Sequence, residues 1–332
     1  MPLTAQWLMP YPSAEKRHGS RQGALRLKAV VCTRYGPPEV LRLEELPVPV
    51  PRKHEVRIRI RATAVTSSDC YVRGLNLTFA YQVMARLALG WTAPRCRVLG
   101  MVLSGEVDAV GPQVASFKVG DQVFGFDRHR FGTYAEYVCW PQDGLLAMRP
   151  PGLSDQDAAA IPYGGLLALH FLRRAGIRSG QEVLIYGASG AVGTSAVQLA
   201  RYFGARVTGV CGTSNLELVR SLGAARVIDY TREGFLLEPE RYDLVFDAVG
   251  KRKSAAVLRH CARILSPGGR CISVDDGTPE LLRDDLVLLG RLAQDGKIRP
   301  VIDRCYPLDD IVEAHRYVDG GHKRGNVVIS VE

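Results

Sequence analysis

Two hydrophobic periods divide the chain. After Leu27 apolar residues alternate with polar ones. Ala29-Val30-Val31-Cys32 reads as a short strand, and the stretch from Glu55 to Ala62 puts Val56, Ile58 and Ile60 on one face and Arg57, Arg59 and Arg61 on the other. A period of two is the mark of a half-buried strand. Val102 to Val110, Gly120 to Gly125 and Tyr134 to Val138 repeat it between turn residues. A β-rich unit is predicted.

The texture changes near Pro150. Ser154 is placed to cap a helix that opens with Asp155 and Asp157, acids suited to the positive end of a helix. Strands and helices then take turns. Strands are expected at Glu182 to Tyr186, Arg206 to Cys211, Val227 to Tyr230, Leu244 to Ala248 and Cys271 to Val274. Helices are expected at Ala191 to Phe203, Leu216 to Leu222 and Ser254 to Leu265. Apolar strands separated by helices imply a parallel sheet covered on both faces. From about Thr278 come another helix, a strand at Val301 to Arg304, a short helix and a strand at Val327 to Ile329. The stretch from Tyr81 to Trp91 reads as an apolar helix, either core packing or a wall for a bulky substrate.

Length and composition narrow the class. A chain of 332 residues is long enough for two domains. With 46% hydrophobic and 23% charged residues it is an ordinary globular protein, and no apolar run approaches the roughly 20 residues that cross a bilayer. The eight cysteines share no CxxC spacing, which points to reduced thiols and a cytoplasmic location rather than a disulfide framework. The net charge of +9 does not imply nucleic acid, because bases and acids interleave. The dense clusters, Lys251-Arg252-Lys253 and His322-Lys323-Arg324, carry no aromatics. A surface that steers an anionic cofactor fits better. Residues 1–24, with Pro2, Pro10, Pro12, Gly19, Gly23 and the single acid Glu15, read as a flexible extension lacking the stripe of a transit peptide or the core of a secretory signal.

The strongest chemical signal lies between the expected strand ending at Tyr186 and the helix after it. Gly187-Ala188-Ser189-Gly190-Ala191-Val192-Gly193 is a turn of small residues. Such a turn lets a pyrophosphate reach backbone N–H groups at the helix N-terminus. Gly190 would allow close approach of the cofactor, and Gly193 would let the helix pack on the strand. The GxxGxxG spacing is looser than GxGxxG, and its place in a βαβ series is what gives it weight. The next strand ends at Val210-Cys211 and runs into Gly212-Thr213-Ser214-Asn215, with no acid before Glu217. NAD sites place Asp or Glu there to accept from the ribose 2′-hydroxyl. The small side chains of Thr213, Ser214 and Asn215 leave room for a 2′-phosphate, which favours NADP(H).

Taken together, Tyr35-Gly36-Pro37-Pro38-Glu39-Val40-Leu41, Val119 to Gly125, Tyr186 to Gly193, Phe246 to Gly250 and Lys297 to Ile302 resemble the medium-chain dehydrogenase/reductase superfamily, in its zinc-free quinone oxidoreductase branch. The resemblance runs from Leu27 onward. It implies an α/β protein with a GroES-like β-rich catalytic domain at 25–150, a Rossmann doubly wound parallel sheet at 151–277, and a segment at 278–332 that completes the catalytic domain. The active-site cleft then lies between the two. A homodimer is expected. Zinc-dependent relatives carry a His-Glu pair after a glycine, whereas Gly100 is followed by Met101-Val102. Cys70 has no partner at ligand spacing, and only Cys96 stands where a structural zinc lobe needs four cysteines. No metal is expected.

Without a Lewis acid an ordinary alcohol is a hard substrate. A quinone or an α,β-unsaturated carbonyl compound is already electrophilic and needs only hydrogen-bond donors at its oxygen. Tyr71 matches a tyrosine lining the cleft of quinone reductases and is the expected donor, its alternative being a packed ring. Thr66 stands where the family has Asn and is carried as a second catalytic candidate, while Asp69 reads as a capping acid. Tyr230 matches a tyrosine that contacts the adenosine phosphate. With Val249 and Val274 at later strand ends it completes the cofactor set. Leu167 replaces a threonine facing the nicotinamide, Val102 replaces an acid, and the usual Lys or Arg of the phosphate pocket is absent. An NADPH-dependent enoyl or 2-alkenal reductase and a weakly catalytic NADPH-binding module remain as alternatives. The expected partner is a small molecule, with neither nucleic acid nor membrane.

Overall fold

The computed structural model describes residues 25–75, 79–232, 241–251, 254, 259 and 263–332. The expected N-terminal extension, Arg252 and Lys253 of the basic cluster, and most of the helix expected from Ser254 lie outside the described residues.

Strands β1 (Arg26–Cys32) and β2 (Leu41–Pro47) pair antiparallel, Arg26 facing Pro47 and Cys32 facing Leu41. The alternating stretch becomes β3 (Glu55–Val65), with Val56, Ile58 and Ile60 buried as the pattern requires. Beyond Ala62 every β3 residue is buried, since the strand runs into the core. Two helices follow, α1 (Ser67–Gly74) and α2 (Phe79–Leu89). Then come β4 (Val102–Val110), β5 (Gln122–Phe126), β6 (Tyr137–Pro141) and β7 (Leu146–Met148). The strand expected from Tyr134 begins three residues later, at Tyr137. Tyr134 itself is fully buried, its N–H donating to Leu99 O and its carbonyl accepting from Val30 N.

Ser154 caps α3 (Asp155–Ala160), its hydroxyl accepting from Asp157 N at 3.0 Å. Pro162 opens α4 (Pro162–Arg174) at a position where the missing N–H costs nothing. After these run β8 (Glu182–Tyr186), α5 (Ala191–Tyr202), β9 (Arg206–Cys211), α6 (Leu216–Ser221), β10 (Arg226–Asp229), β11 (Tyr242–Asp247) and β12 (Leu265–Ser273). These five strands form one parallel sheet in the order β10-β9-β8-β11-β12. The order reverses between β8 and β11, the switch point where such sheets bind ligands. β12 starts earlier than the apolar run from Cys271 suggests. Its first residue pairs with Tyr242, and the register then shifts across Ser266-Pro267-Gly268-Gly269, which only a bulge accommodates.

The tail holds α7 (Arg283–Gln294), β13 (Ile302–Pro307), α8 (Ile311–Asp319) and β14 (Asn326–Ser330). β14 pairs antiparallel with β3 and parallel with β13, so the last strands join the seven-stranded sheet of β3 to β7. One hydrophobic cluster runs from Val56 and Ile58 through Ala159, Leu169 and Phe171 to Val183 and Phe246. Helices α3 and α4 carry that core from one sheet to the other.

His315 on α8 anchors the tail. It is fully buried, edge-on to Tyr134 with ring centroids 5.6 Å apart, and its Nδ1 lies 3.5 Å from Cys70 Sγ on α1. Burial first, then the Arg73 guanidinium, hold its imidazole down from 6.5 to about 3. Between those values the unfolded chain takes up a proton that the folded one refuses, so stability should fall as pH drops through that window. Urea unfolding of wild type and His315→Leu at neutral and mildly acidic pH checks this. The variant should show the shallower pH dependence, and equal slopes would clear His315 of the effect.

Candidate active site

The expected cofactor residues gather along one edge. Gly187 to Gly193 join β8 to α5, Thr213 to Asn215 follow β9, Tyr230 follows β10, Val249 follows β11 and Val274 follows β12. All stand at the C-terminal ends of the parallel strands. Gly187 has φ +77°, and a Cβ there would sit 2.2 Å from Val249 Cγ2, so the Val249 side chain lies directly over the turn. At Gly193 a Cβ would fall 2.0 Å from Gly187 O, so α5 packs on the turn with no room for a methyl group. Gly190 is different. A Cβ there would meet nothing nearer than Gly187 O at 3.6 Å. Gly190 is also the N-cap of α5 and offers no side-chain acceptor to the first-turn N–H groups. An open approach and free donors at a helix N-terminus suit a dinucleotide diphosphate.

The adenosine end is more crowded than the sequence suggests. Thr213 Oγ1 donates to Asp229 Oδ2 at 2.7 Å, and Thr231 donates to Asp229 Oδ1 through its N at 3.0 Å and Oγ1 at 2.7 Å. These bonds, led by Thr213, hold the Asp229 carboxyl below the ordinary carboxylate range. Asn215 Nδ2 donates to Ser189 Oγ at 3.2 Å and ties the loop after β9 to the glycine turn. Tyr230 is half exposed, with its ring beside Gly212 and 6.3 Å from that of Tyr186. Asp229 escapes the sequence pattern because it closes the third strand rather than the second. Its signal is the Asp229-Tyr230-Thr231 run, which puts an acid beside a hydroxyl donor.

Two glycines elsewhere in the chain reach the turn. Gly164 on α4 packs so closely on α5 that a Cβ would lie 2.2 Å from Ala191 O. Gly325 N donates to Ser189 O at 2.8 Å, and Gly325 bridges to Gly190. Tyr163, next to Gly164, therefore stands beside the nucleotide turn. Its hydroxyl is 3.2 Å from Ser68 Oγ on α1, and its ring lies edge-on to Phe126 at 5.8 Å. Burial pushes the Tyr163 phenol up to about 12, so it keeps its proton at neutral pH. Sequence reasoning passed over Tyr163. Its one signal is a tyrosine just inside a proline-started helix.

Tyr71 stands on the same helix as Ser68 and is 40% exposed, whereas Thr66 is 4% exposed. The Thr66 hydroxyl is closed into a capping box: it accepts from Asp69 N at 3.2 Å and donates to Asp69 Oδ2 at 2.7 Å. Thr66 thus holds α1 in place and does not face open space. Asp69 is the capping acid, accepting also from Thr66 N and Gly100 N. Burial pushes its carboxyl up to about 6 against those bonds. Leu167 packs against the core, and Met101 and Val102 are buried. Among the described residues no three or more His, Cys, Asp and Glu side chains are grouped to hold a metal ion.

Residues 52–150 match the alcohol dehydrogenase GroES-like domain, and residues 222–329 match the family described as zinc-binding dehydrogenase. A 2-methylene-furan-3-one reductase from Solanum lycopersicum is 35% identical over 324 residues, covering 91% of this chain and 79% of that protein. The chain belongs to the medium-chain dehydrogenase/reductase superfamily. The chloroplastic NADPH-dependent alkenal/one oxidoreductase of Arabidopsis thaliana is 30% identical with the same coverage of both chains. The solved quinone oxidoreductase of Coxiella burnetii superposes with a TM-score of 0.79 at 29% identity, over 93% of this chain and all of that one. Medium-chain dehydrogenases and reductases are pyridine-nucleotide oxidoreductases, and an open glycine turn at a helix N-terminus suits such a cofactor.

Two glycine substitutions separate packing from binding. Gly193→Ala should lower stability by about 1–3 kcal/mol, because α5 must move off the turn. Gly190→Ala should leave the melting temperature near wild type while weakening dinucleotide binding about tenfold, since its methyl group points into the open approach. Melting curves and fluorescence titrations read both. Tight dinucleotide binding by Gly190→Ala would put the diphosphate elsewhere.

Proposed function

We propose that this protein is a zinc-independent, NADPH-dependent reductase that passes hydride to quinones or related α,β-unsaturated carbonyl compounds. The observation that carries this reading is the placement of phenol and hydroxyl donors beside the nucleotide turn. Tyr71, Ser68 and Tyr163 lie together where α1 meets the start of α4, and α4 packs on the first residue of α5. When bound, the nicotinamide supplies a hydride equivalent. The chain supplies position and polarity: Gly190 and the α5 N-terminus hold the diphosphate, and Val249 packs over the turn. The exposed Tyr71 phenol donates to the substrate oxygen as negative charge develops there, and the proton is made good from solvent. Ser68 and Tyr163 support that end of the cleft, and the Thr66–Asp69 capping box fixes the angle of α1. Val274 closes the pocket at the end of β12.

NADPH is proposed over NADH because the end of β9 carries no acid. Thr213 spends its proton on Asp229, so Ser214, Asn215 and Tyr230 remain as donors to a 2′-phosphate. Arg232, 78% exposed and 3.8 Å from Asp229, adds a cation at the same rim. Zinc independence rests on Met101-Val102 after Gly100 and on Cys70 having no partner at ligand spacing. The domain limits 25–150, 151–277 and 278–332, a homodimer and a cytoplasmic location belong to the same proposal. No helix of the described residues is long and apolar enough to cross a membrane. The alkenal/one oxidoreductase relative favours a second reading, reduction of aliphatic enones by the same route.

Nicotinamide oxidation with a benzoquinone, a naphthoquinone and an alkenal separates the readings. Turnover of either quinone supports the first, and turnover of the alkenal alone supports the second. Tight NADPH binding without turnover of any would leave a binding module. Parallel titrations should give NADPH the lower dissociation constant, and tighter NADH binding would refute the cofactor assignment. Activity should survive exhaustive chelation, with no stoichiometric zinc by elemental analysis. Tyr71→Phe should slow single-turnover hydride transfer by about 1–3 kcal/mol while leaving NADPH affinity unchanged. Equal rates in two well-folded proteins would remove Tyr71 from the chemistry.

A further inference from the structure

Lys323 is a cation in an unusual place. It follows α8 and precedes Gly325, the residue that bridges to Gly190 at the α5 N-terminus. Its Nζ donates to Gly325 O at 2.5 Å, and Gly325 N in turn donates to Ser189 O at 2.8 Å. Two contacts thus separate the ammonium from the backbone of the glycine turn. The approach is fixed from below. Asn326 bonds Val301 O through both its backbone N, at 2.8 Å, and its Nδ2, at 3.1 Å, and Gly325 takes φ +62° with no room for a Cβ against Val301 O.

The charge has no counterion. Among the described residues no carboxylate comes within ion-pair distance of Lys323. Two titratable groups face it, Cys70 from α1 and Asp303 from β13. Asp303 is already taken, accepting from Tyr317 Oη at 2.6 Å and Arg324 N at 2.8 Å. Cys70 is a neutral thiol, its pKa raised by burial. Protein atoms pack around the ammonium while the residue keeps some exposed surface. A cation so enclosed, with one carbonyl for company, is costly unless an anion completes it.

We infer that Lys323 is a cofactor-binding residue whose ammonium meets the diphosphate of the bound dinucleotide. The inference rests on the dinucleotide reading above. The glycine turn supplies N–H donors and no charge, and the last segment of the chain supplies the charge from the opposite wall. Before binding, burial holds the Lys323 ammonium down to about 8, with Cys70 and Asp303 pulling weakly the other way. A diphosphate alongside raises it again. Binding above that pH therefore takes up a proton, and affinity falls as pH rises from neutral to alkaline.

Calorimetric titration of the full chain with NADPH, NADH and adenosine 2′-monophosphate tests this. Lys323→Met should weaken both dinucleotides about tenfold and leave adenosine 2′-monophosphate, which has no diphosphate, unchanged. Lys323→Arg should restore most of the loss. In buffers of different ionisation heat, wild type at alkaline pH should take up as much as about one proton per NADPH, and Lys323→Met none. Unchanged dinucleotide affinity in Lys323→Met, against tight wild-type binding, overturns the inference and leaves the reductase reading standing. Loss of adenosine 2′-monophosphate binding as well marks a structural residue and also overturns it. Failure of wild type to bind either dinucleotide removes the parent reading too.

Discussion

Helix α5 lies so close to the end of β8 that position 193 has no space for a side chain, and the rest of the molecule is arranged around that contact. With Gly193 pressed on Gly187 O, the α5 N-terminus is aimed along the C-terminal edge of the parallel sheet. The same closeness recurs on either side. Gly164 brings α4 onto Ala191, and Gly325 brings the end of the chain onto Ser189 and Gly190. Three backbone approaches thus converge on one turn, two of them, at Gly193 and Gly164, possible only without a Cβ. They bring α4 and the segment before β14 onto the N-terminal end of α5. Packing of this kind is unforgiving, because displaced backbone cannot rotate away as a side chain can.

The substrate end is held by buried polarity instead. Asp69 accepts from Thr66 N, Thr66 Oγ1 and Gly100 N, so one carboxylate fixes both the start of α1 and the loop that leads into β4. Removing such a group from water is expensive, which is why burial drives it toward its neutral form. The other side of α1 is tied to α8 by the Arg73–Asp319 ion pair at 2.6 Å and by the Cys70–His315 contact. Helix α1 is therefore gripped at both ends while Tyr71, between them, stays open. On the reading proposed above, a donor to a developing oxyanion needs that combination of fixed backbone and exposed ring.

Much of this was legible in the sequence where the signal is local. The alternation from Val56 to Arg61 gave β3, Ser154 with Asp157 gave a cap, and small residues between an apolar strand and a helix gave the turn. What escaped depends on neighbours distant in the chain. Asp229 lies 16 residues beyond Thr213 and meets it only because β10 pairs with β9. Tyr163 gains its meaning from Ser68, 95 residues earlier. Lys323 sits in a basic cluster that reads as solvated surface, until Gly325, two residues on, bonds Ser189 in the glycine turn. The early start of β12 was hidden by Pro267, Gly268 and Gly269, residues that announce a turn and here form a bulge within a strand. Thr66 shows how one motif hydroxyl can serve the fold: in the structure it holds a helix through a capping box.

Asp229 bears on how cofactor choice is read from any strand end. The useful question is whether a carboxylate has a lone pair to spare, and counting acids near the ribose does not answer it. A carboxylate that accepts from Thr213 and twice from Thr231 has its stabilising donors already in place. A ribose hydroxyl would have to displace one of them or take a poorer angle, and gains little from doing so. A 2′-phosphate meets a different surface. On the NADPH reading proposed above, it would meet the exposed guanidinium of Arg232, 3.8 Å from the carboxylate that the threonines wrap. An acid wrapped by its own neighbours acts as scaffold for the loop after β9.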